Sequence, residues 1–196
     1  MMFDPKYDFS FTEEMNDLPP TLNDIDARLY FTLLSARKTA YALVQDSTKP
    51  LARCLAELLD FAEELQGQIG ALPTATEKMD FRSVFQNPEL INPQWSEKVA
   101  AGDLTAPVGE SHFGRQIAMY FLFRYFLNLG LEGDVLSAAK MAVVGVLVPT
   151  YFGTDSWVMH LWSKETEHSD VNMERYRRLL RTADCLSVPA LKSRLV

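Results

Sequence analysis

The chain has 196 residues, 47% of them hydrophobic, with 19 Lys and Arg against 26 Asp and Glu, a formal charge of -7. That length and apolar fraction suffice for a real core without covalent staples. Two cysteines, Cys54 and Cys185, exclude a disulfide framework or a four-thiolate zinc or iron–sulfur site built from this chain alone, and two unpaired thiols are expected. The acidic balance excludes nucleic-acid binding by bulk counterion release, which needs a basic surface.

The opening stretch, MMFDPKYDFSFTEEM, is acidic and lacks both a charged n-region and a continuous apolar h-region, so it does not read as a signal peptide and the expected location is the cytoplasm. Residues 1–20 end in Asp-Leu-Pro-Pro and show no sustained period. They read as an irregular arm whose Phe3, Tyr7, Phe9 and Phe11 are available to pack on the body.

Residues 21–70 predict a helical hairpin. Thr21 or Asn23 offers an N-cap, and Ile25, Leu29, Leu33, Ala36, Ala40 and Val44 follow at three- and four-residue steps. After a short turn, Ser47 or Thr48 offers a second cap and Pro50 a first-turn proline. The apolar stripe then recurs at Leu51, Leu55, Leu58, Ala62, Leu65 and Ile69 before weakening at Gly67 and Gly70. Residues 71–109 break into short pieces at Pro73, Pro88, Pro93 and Pro107, with short helices expected at Thr76–Gln86 and Pro93–Ala101. This segment reads as a structured connector, or as a lid.

Residues 110–196 predict an apolar C-terminal bundle, forming one compact domain with residues 21–70. Its helical segments are Ser111–Leu129, Gly133–Val148 and roughly Thr154–Thr182, with a break near Ser169. Gly130 and Gly133 bracket the first turn, and Pro149 with Gly153 marks the second. Two stretches, from Ile117 and from Val135, are strongly apolar, but they carry Arg124 and Lys140 and fall short of the ~20 uninterrupted apolar residues of a spanning helix. They read as buried core helices, and no membrane partner is expected. No tract alternates β-branched and polar residues, so the fold class is all-α.

Signatures of the common cofactor and hydrolase sites are missing: no G-x-G-x-x-G after a strand, no P-loop, no G-x-S-x-G, no H-E-x-x-H. A histidine-based triad needs His112, His160 or His168 beside a serine or cysteine of another segment, which spacing does not supply. Glu165 and His168, three apart on a helix, share a face as in half of a carboxylate-bridged metal site, yet no second Glu-x-x-His exists to complete it. A junction in which Ser169 or Asp170 caps a new helical turn accounts better for the pattern, and no metal is expected. The run containing Arg175, Arg177, Arg178 and Arg181 reads as a solvated face, with Arg175 and Arg178 as candidate contacts.

The aromatic run MYFLFRYFLNLG places Tyr120, Phe121, Phe123, Tyr125 and Phe126 all round one helix. That predicts enclosure on several sides and a carboxylate or carbonyl partner for Arg124. The functional alternative is an apolar-ligand pocket between this helix and the one from Val135, beside Tyr120, oriented by Arg115, Arg124 or Lys140.

Three segments in order, ARKTAYALVQDSTKPLARCLAELLDFAEELQGQI, YFLFRYFLNLGLEGDVLSAAKMAVVGVLV and SKETEHSDVNMERY, resemble the helical region downstream of the cysteine-rich part of flagellin lysine-N-methylase-like proteins. The resemblance runs from about residue 24 to 180. It rests on helix faces and turns rather than on catalytic residues. The family's cysteine cluster has no counterpart here, since Cys54 lies in a helix stripe and Cys185 near the C-terminus, so no metal ligand carries over. The resemblance implies a non-catalytic binding or scaffold module whose partner is another protein. Its alternatives are a lysine N-methyltransferase using S-adenosylmethionine, the one cofactor considered, and a bundle that binds a small apolar ligand. No catalytic residue is assigned. The expected contact region is the polar junction from Glu165 to Arg178 together with whatever the aromatic helix leaves exposed.

Overall fold

The computed structural model describes residues 24–71, 73–154 and 156–196. The expected arm over residues 1–20 and the Thr21 or Asn23 cap lie outside the described residues. Eight α-helices are described: α1 Asp24–Gln45, α2 Leu51–Ile69, α3 Pro93–Ala101, α4 His112–Leu131, α5 Val135–Phe152, α6 Ser156–Glu167, α7 Asp170–Thr182 and α8 Val188–Ser193. Two 3-10 turns, Arg82–Phe85 and Asp184–Leu186, complete them. Among the described residues there is no strand, only one isolated parallel bridge between Glu77 and Ala183. The chain is an all-α helical bundle.

Helix α5 is the axle. It packs against α2, α3, α4, α6, α7 and α8, and every residue but Thr150 is buried. It is also long and apolar enough, by length and composition, to cross a membrane, and 94% of it lies inside the bundle. Small residues let its neighbours close in. A Cβ on Gly145 would sit 2.6 Å from ring atoms of Phe121 on α4, so only glycine permits that approach. Helix α5 outruns its expected end, passing through Pro149 to Phe152 before Gly153, at φ 129°, turns the chain. Proline removes one helical hydrogen bond, and burial of Val148, Pro149, Tyr151 and Phe152 holds the last turn in place.

The hairpin stripe packs as its spacing predicts: Leu33, Ala36, Ala40 and Val44 of α1 and Leu51, Leu55, Leu58, Ala62 and Leu65 of α2 are buried. Its second cap differs. Neither Ser47 nor Thr48 caps α2, because Thr48 hydrogen-bonds Asp46 instead and Pro50 occupies the N-cap. The Leu51 N–H donates at 2.8 Å to the Glu110 carboxylate, supplied from far along the chain. A long-range carboxylate thus does the work of a local cap.

Glu110 is held in turn by Arg115. The Nε–H and one Nη2–H of Arg115 meet the Glu110 carboxylate at 2.8 and 3.1 Å. Its remaining donors reach the carbonyls of Val44 (2.6 Å), Asp46 (3.2 Å) and Lys49 (2.7 Å). All five guanidinium N–H groups are therefore matched, and the residue is 9% exposed. Arg115, then the Leu51 N–H, hold the Glu110 carboxyl below the usual carboxylate range.

The connector packs as part of the core through Phe81, Val84, Phe85, Trp95 and Val99. Helix α3 spans the predicted Pro93–Ala101 with Asn92 as its cap. The expected helix at Thr76–Gln86 shrinks to the 3-10 turn. Residues 76 and 77 are extended because both their N–H groups donate to Thr182 O at 2.9 Å and Glu77 O accepts from Asp184 N–H. Arg82 closes the far end of α3, donating to the carbonyls of Val99, Ala100 and Gly102. At the C-terminus α8, capped by Ser187, lies beyond the last predicted element.

Arg115→Ala strips partners from three carbonyls and from Glu110. The expected cost is about 2–4 kcal/mol, read as a lower urea midpoint, with Arg115→Lys recovering only part of it.

Candidate functional site

The eight residues proposed from sequence fall into four separate environments. Arg115 belongs to the hairpin clamp, with no donor left over. The second environment is the edge where α4 meets the end of α6. Glu167, little exposed, accepts from Arg124 Nε at 2.9 Å, from Ser163 Oγ at 2.7 Å and from the Tyr125 hydroxyl, and Tyr120 Oη lies 3.5 Å away. Arg124 thus has the carboxylate its setting demanded. Burial first, then Glu167, push the Tyr125 phenol well up. Glu167 organises this cluster, and sequence offered it no distinction from neighbouring acids.

Third is the α6–α7 junction. Ser169 caps α7, its Oγ accepting from Asn172 N–H at 3.1 Å, as the spacing predicts. Glu165 is fully buried and accepts from the Ile91 N–H at 3.1 Å and from the Asn92 N–H, while His168 is exposed. The pair therefore does not converge: the carboxylate ties down the connector and the imidazole faces water. Among the described residues no cluster of three His, Cys, Asp or Glu is placed to hold a metal ion. Asn172, also fully buried, bonds Glu89 N–H, Glu89 O and Glu165 O. The expected solvated face of arginines is also engaged: Arg175 donates to Val84 O and Ser83 O, Arg178 pairs with Glu77, and Arg181 pairs with Asp134.

Lys140 makes the fourth environment. It is 3% exposed, and its Nζ donates to Leu180 O at 2.7 Å. It lines a cavity of ≈ 90 Å³ with Glu63, Leu136, Arg181, Ser187 and Val188 among others. Burial lowers the amine to about 8, opposed by Asp134 and Glu63. The expected ligand pocket shared by Tyr120 and Lys140 does not form, because Phe121 and Gly145 fill the α4–α5 contact. Tyr120 instead meets Glu167 and Lys140 meets α7.

What the described residues leave open is one face of α4. Phe113, Tyr120, Phe123 and Leu131 are exposed, Tyr120 by 45% and Phe123 by 58%, while Phe121, Tyr125 and Phe126 are buried. At 100° per residue, positions 113, 116, 120, 123, 124, 127 and 131 share one side. The aromatic run is enclosed on several sides, by α1, α5 and α6, and open among the described residues on this one. At its N-terminal end this face meets a groove of ≈ 590 Å³ lined by Leu51, Glu110, Phe113, Val146, Pro149 and Ser156 among others.

No protein-family model, curated protein or solved structure matches the chain. Both cysteines are free, Cys54 buried against Arg115 at 3.6 Å and Cys185 half-buried.

Two outcomes separate junction from metal site and test the Lys140 environment. Glu165→Ala leaves two connector N–H groups without their acceptor and is expected to cost about 2–3 kcal/mol in urea unfolding, whereas His168→Ala stays within about 0.5 kcal/mol. For Lys140, the unfolded chain binds a proton that the folded chain has released between pH 8 and about 10.5, so its destabilising effect is full below pH 8 and lifts as pH rises. Wild type should gain on Lys140→Met by up to about 3 kcal/mol across that window. A flat difference between pH 7.5 and 9.5 would contradict the buried, charged amine.

Proposed function

We propose that the chain is a helical binding module that recognises another protein through the open face of α4. The observation that carries this reading is the row of exposed large apolar side chains, Phe113, Tyr120, Phe123 and Leu131, on one side of a helix whose other side is core. Scattered exposed apolar residues need no explanation, but four on one side of a single helix do. Aromatic side chains give large contact area at low conformational cost, which suits recognition.

The row runs from Phe113 to Leu131, about 27 Å of helix. It matches a partner helix with apolar residues at i, i+3 or i+4, and i+7. Cations edge it: Arg37 lies 5.9 Å from the Phe123 ring centroid and Arg124 6.0 Å from that of Tyr120. The polar junction from Glu165 to Arg178 is less suited to contact, since Glu165, Arg175 and Arg178 already hold the connector.

A binding role also accords with the resemblance to the C-terminal helical region of flagellin lysine-N-methylase-like proteins, whose cysteine cluster this chain lacks. Flagellin is accordingly the first partner to test. Saturable binding of purified flagellin, without methyl incorporation from S-adenosylmethionine by mass spectrometry, is the expected result. Phe123→Asp should weaken that binding by about tenfold or more while leaving the thermal midpoint unchanged, because Phe123 is mostly in water. Methyl transfer above a heat-killed control would replace this reading with a lysine methyltransferase. Binding indifferent to Phe123→Asp would remove α4 as the contact surface.

A further inference from the structure

The cavity beside Lys140 shares no lining residue with the groove at the end of α4, so it needs its own account. We propose that Lys140 forms an imine with a small 2-oxo acid bound in this cavity. Three of the residues lining the cavity, Lys140, Arg181 and Glu63, carry the assignment, since together they bring a primary amine, a guanidinium and a carboxyl to one site.

The amine comes first. Lys140 is anchored by a single hydrogen bond, to Leu180 O, which fixes its direction without occupying its lone pair once a proton is lost. Burial makes that loss accessible near neutral pH, and an amine held at about 8 is about a tenth unprotonated at pH 7. The guanidinium supplies selection. Arg181 gives its Nε–H to Asp134, and that carboxylate, itself the cap of α5, orients the planar fork. Four further N–H donors remain on the group for a carboxylate. Size limits the ligand, since ≈ 90 Å³ is about the volume of three water molecules. Ala75 and Pro189 on the cavity wall are exposed, so the site opens to solvent there.

The chemistry balances without any co-reactant. Lys140 first passes its ammonium proton to Glu63; the neutral amine then attacks the carbonyl carbon, the C=O π pair moves to oxygen, and a proton shifts from the attacking nitrogen to that oxygen to give a carbinolamine. Glu63 returns its proton to the hydroxyl, which leaves as water while the nitrogen lone pair closes the C=N bond. In sum, one ammonium and one ketone give one iminium and one water.

The test uses the full chain with pyruvate as the probe, followed by borohydride reduction, intact mass measurement and peptide mapping. One reduced adduct per chain, on Lys140, is expected. It should vanish in Lys140→Met, and in Arg181→Gln, which keeps the amine, its yield should fall at least fivefold. Acetone, which has the carbonyl and no carboxylate, should label Lys140 much less. Labelling spread over surface lysines, no adduct at Lys140, or equal labelling by acetone would each overturn the proposal. Flagellin binding at α4 is measured independently of every one of these outcomes.

Discussion

A helix with no wet side organises this protein. Helix α5 is surrounded by six others and buries all but one of its residues, at roughly 25 cal/mol for each Å² of apolar surface removed from water. Its sequence, rich in Val and Ala with Gly145, keeps its girth small enough for neighbours to close on every side. The same burial constrains each polar atom it carries. Lys140 must reach a carbonyl on α7, and the Ser137 hydroxyl finds no partner among the described residues, a cost of about 1–3 kcal/mol that the surrounding apolar contact offsets.

Side chains take over where secondary structure stops. The connector contains little regular structure, so its carbonyl and N–H groups need partners from elsewhere. Arg82, Arg175, Glu165 and Asn172 provide them, as Arg115 and Gln66 do for the ends of α1 and α2. A guanidinium offers five donors in one plane, which explains why arginine fills most of these posts. Charged residues that look available in the sequence are therefore mostly internal fasteners.

The bundle was legible because its period was. Three-four spacing named α1, α2, α4 and α5, and Ser169 and Pro93 marked helix starts that the structure keeps. What stayed hidden depended on distance along the chain. No local pattern shows that Glu110 caps α2, that Thr76 and Glu77 pair with Thr182, or that Arg181 and Glu63 share a cavity with Lys140. Pro149 misled in a different way: proline ends an isolated helix, but a buried helix gripped on all sides continues through it. The Glu-x-x-His spacing placed two residues on one helix, yet a helix near its end sends one side chain into the core and the other into water. Spacing fixes a shared face only where the helix itself has a uniform environment.

Helices α4 and α5 show how far apolar content alone can be read. Both are apolar all round in sequence, and they end in opposite settings. The difference is side-chain size. Valine and alanine let six neighbours approach α5, whereas a ring of phenylalanines and tyrosines gives α4 more circumference than the described helices cover, so among the described residues one side is left open. Folding does not account for those outward rings, because a side chain more than half exposed, as Phe123 is, returns little burial to the fold while raising the hazard of unwanted association. Such a surface costs solubility and contributes little to stability among the described residues; in the proposed binding role a partner helix completes its burial, and the helical spacing of the row gives the shape that fits.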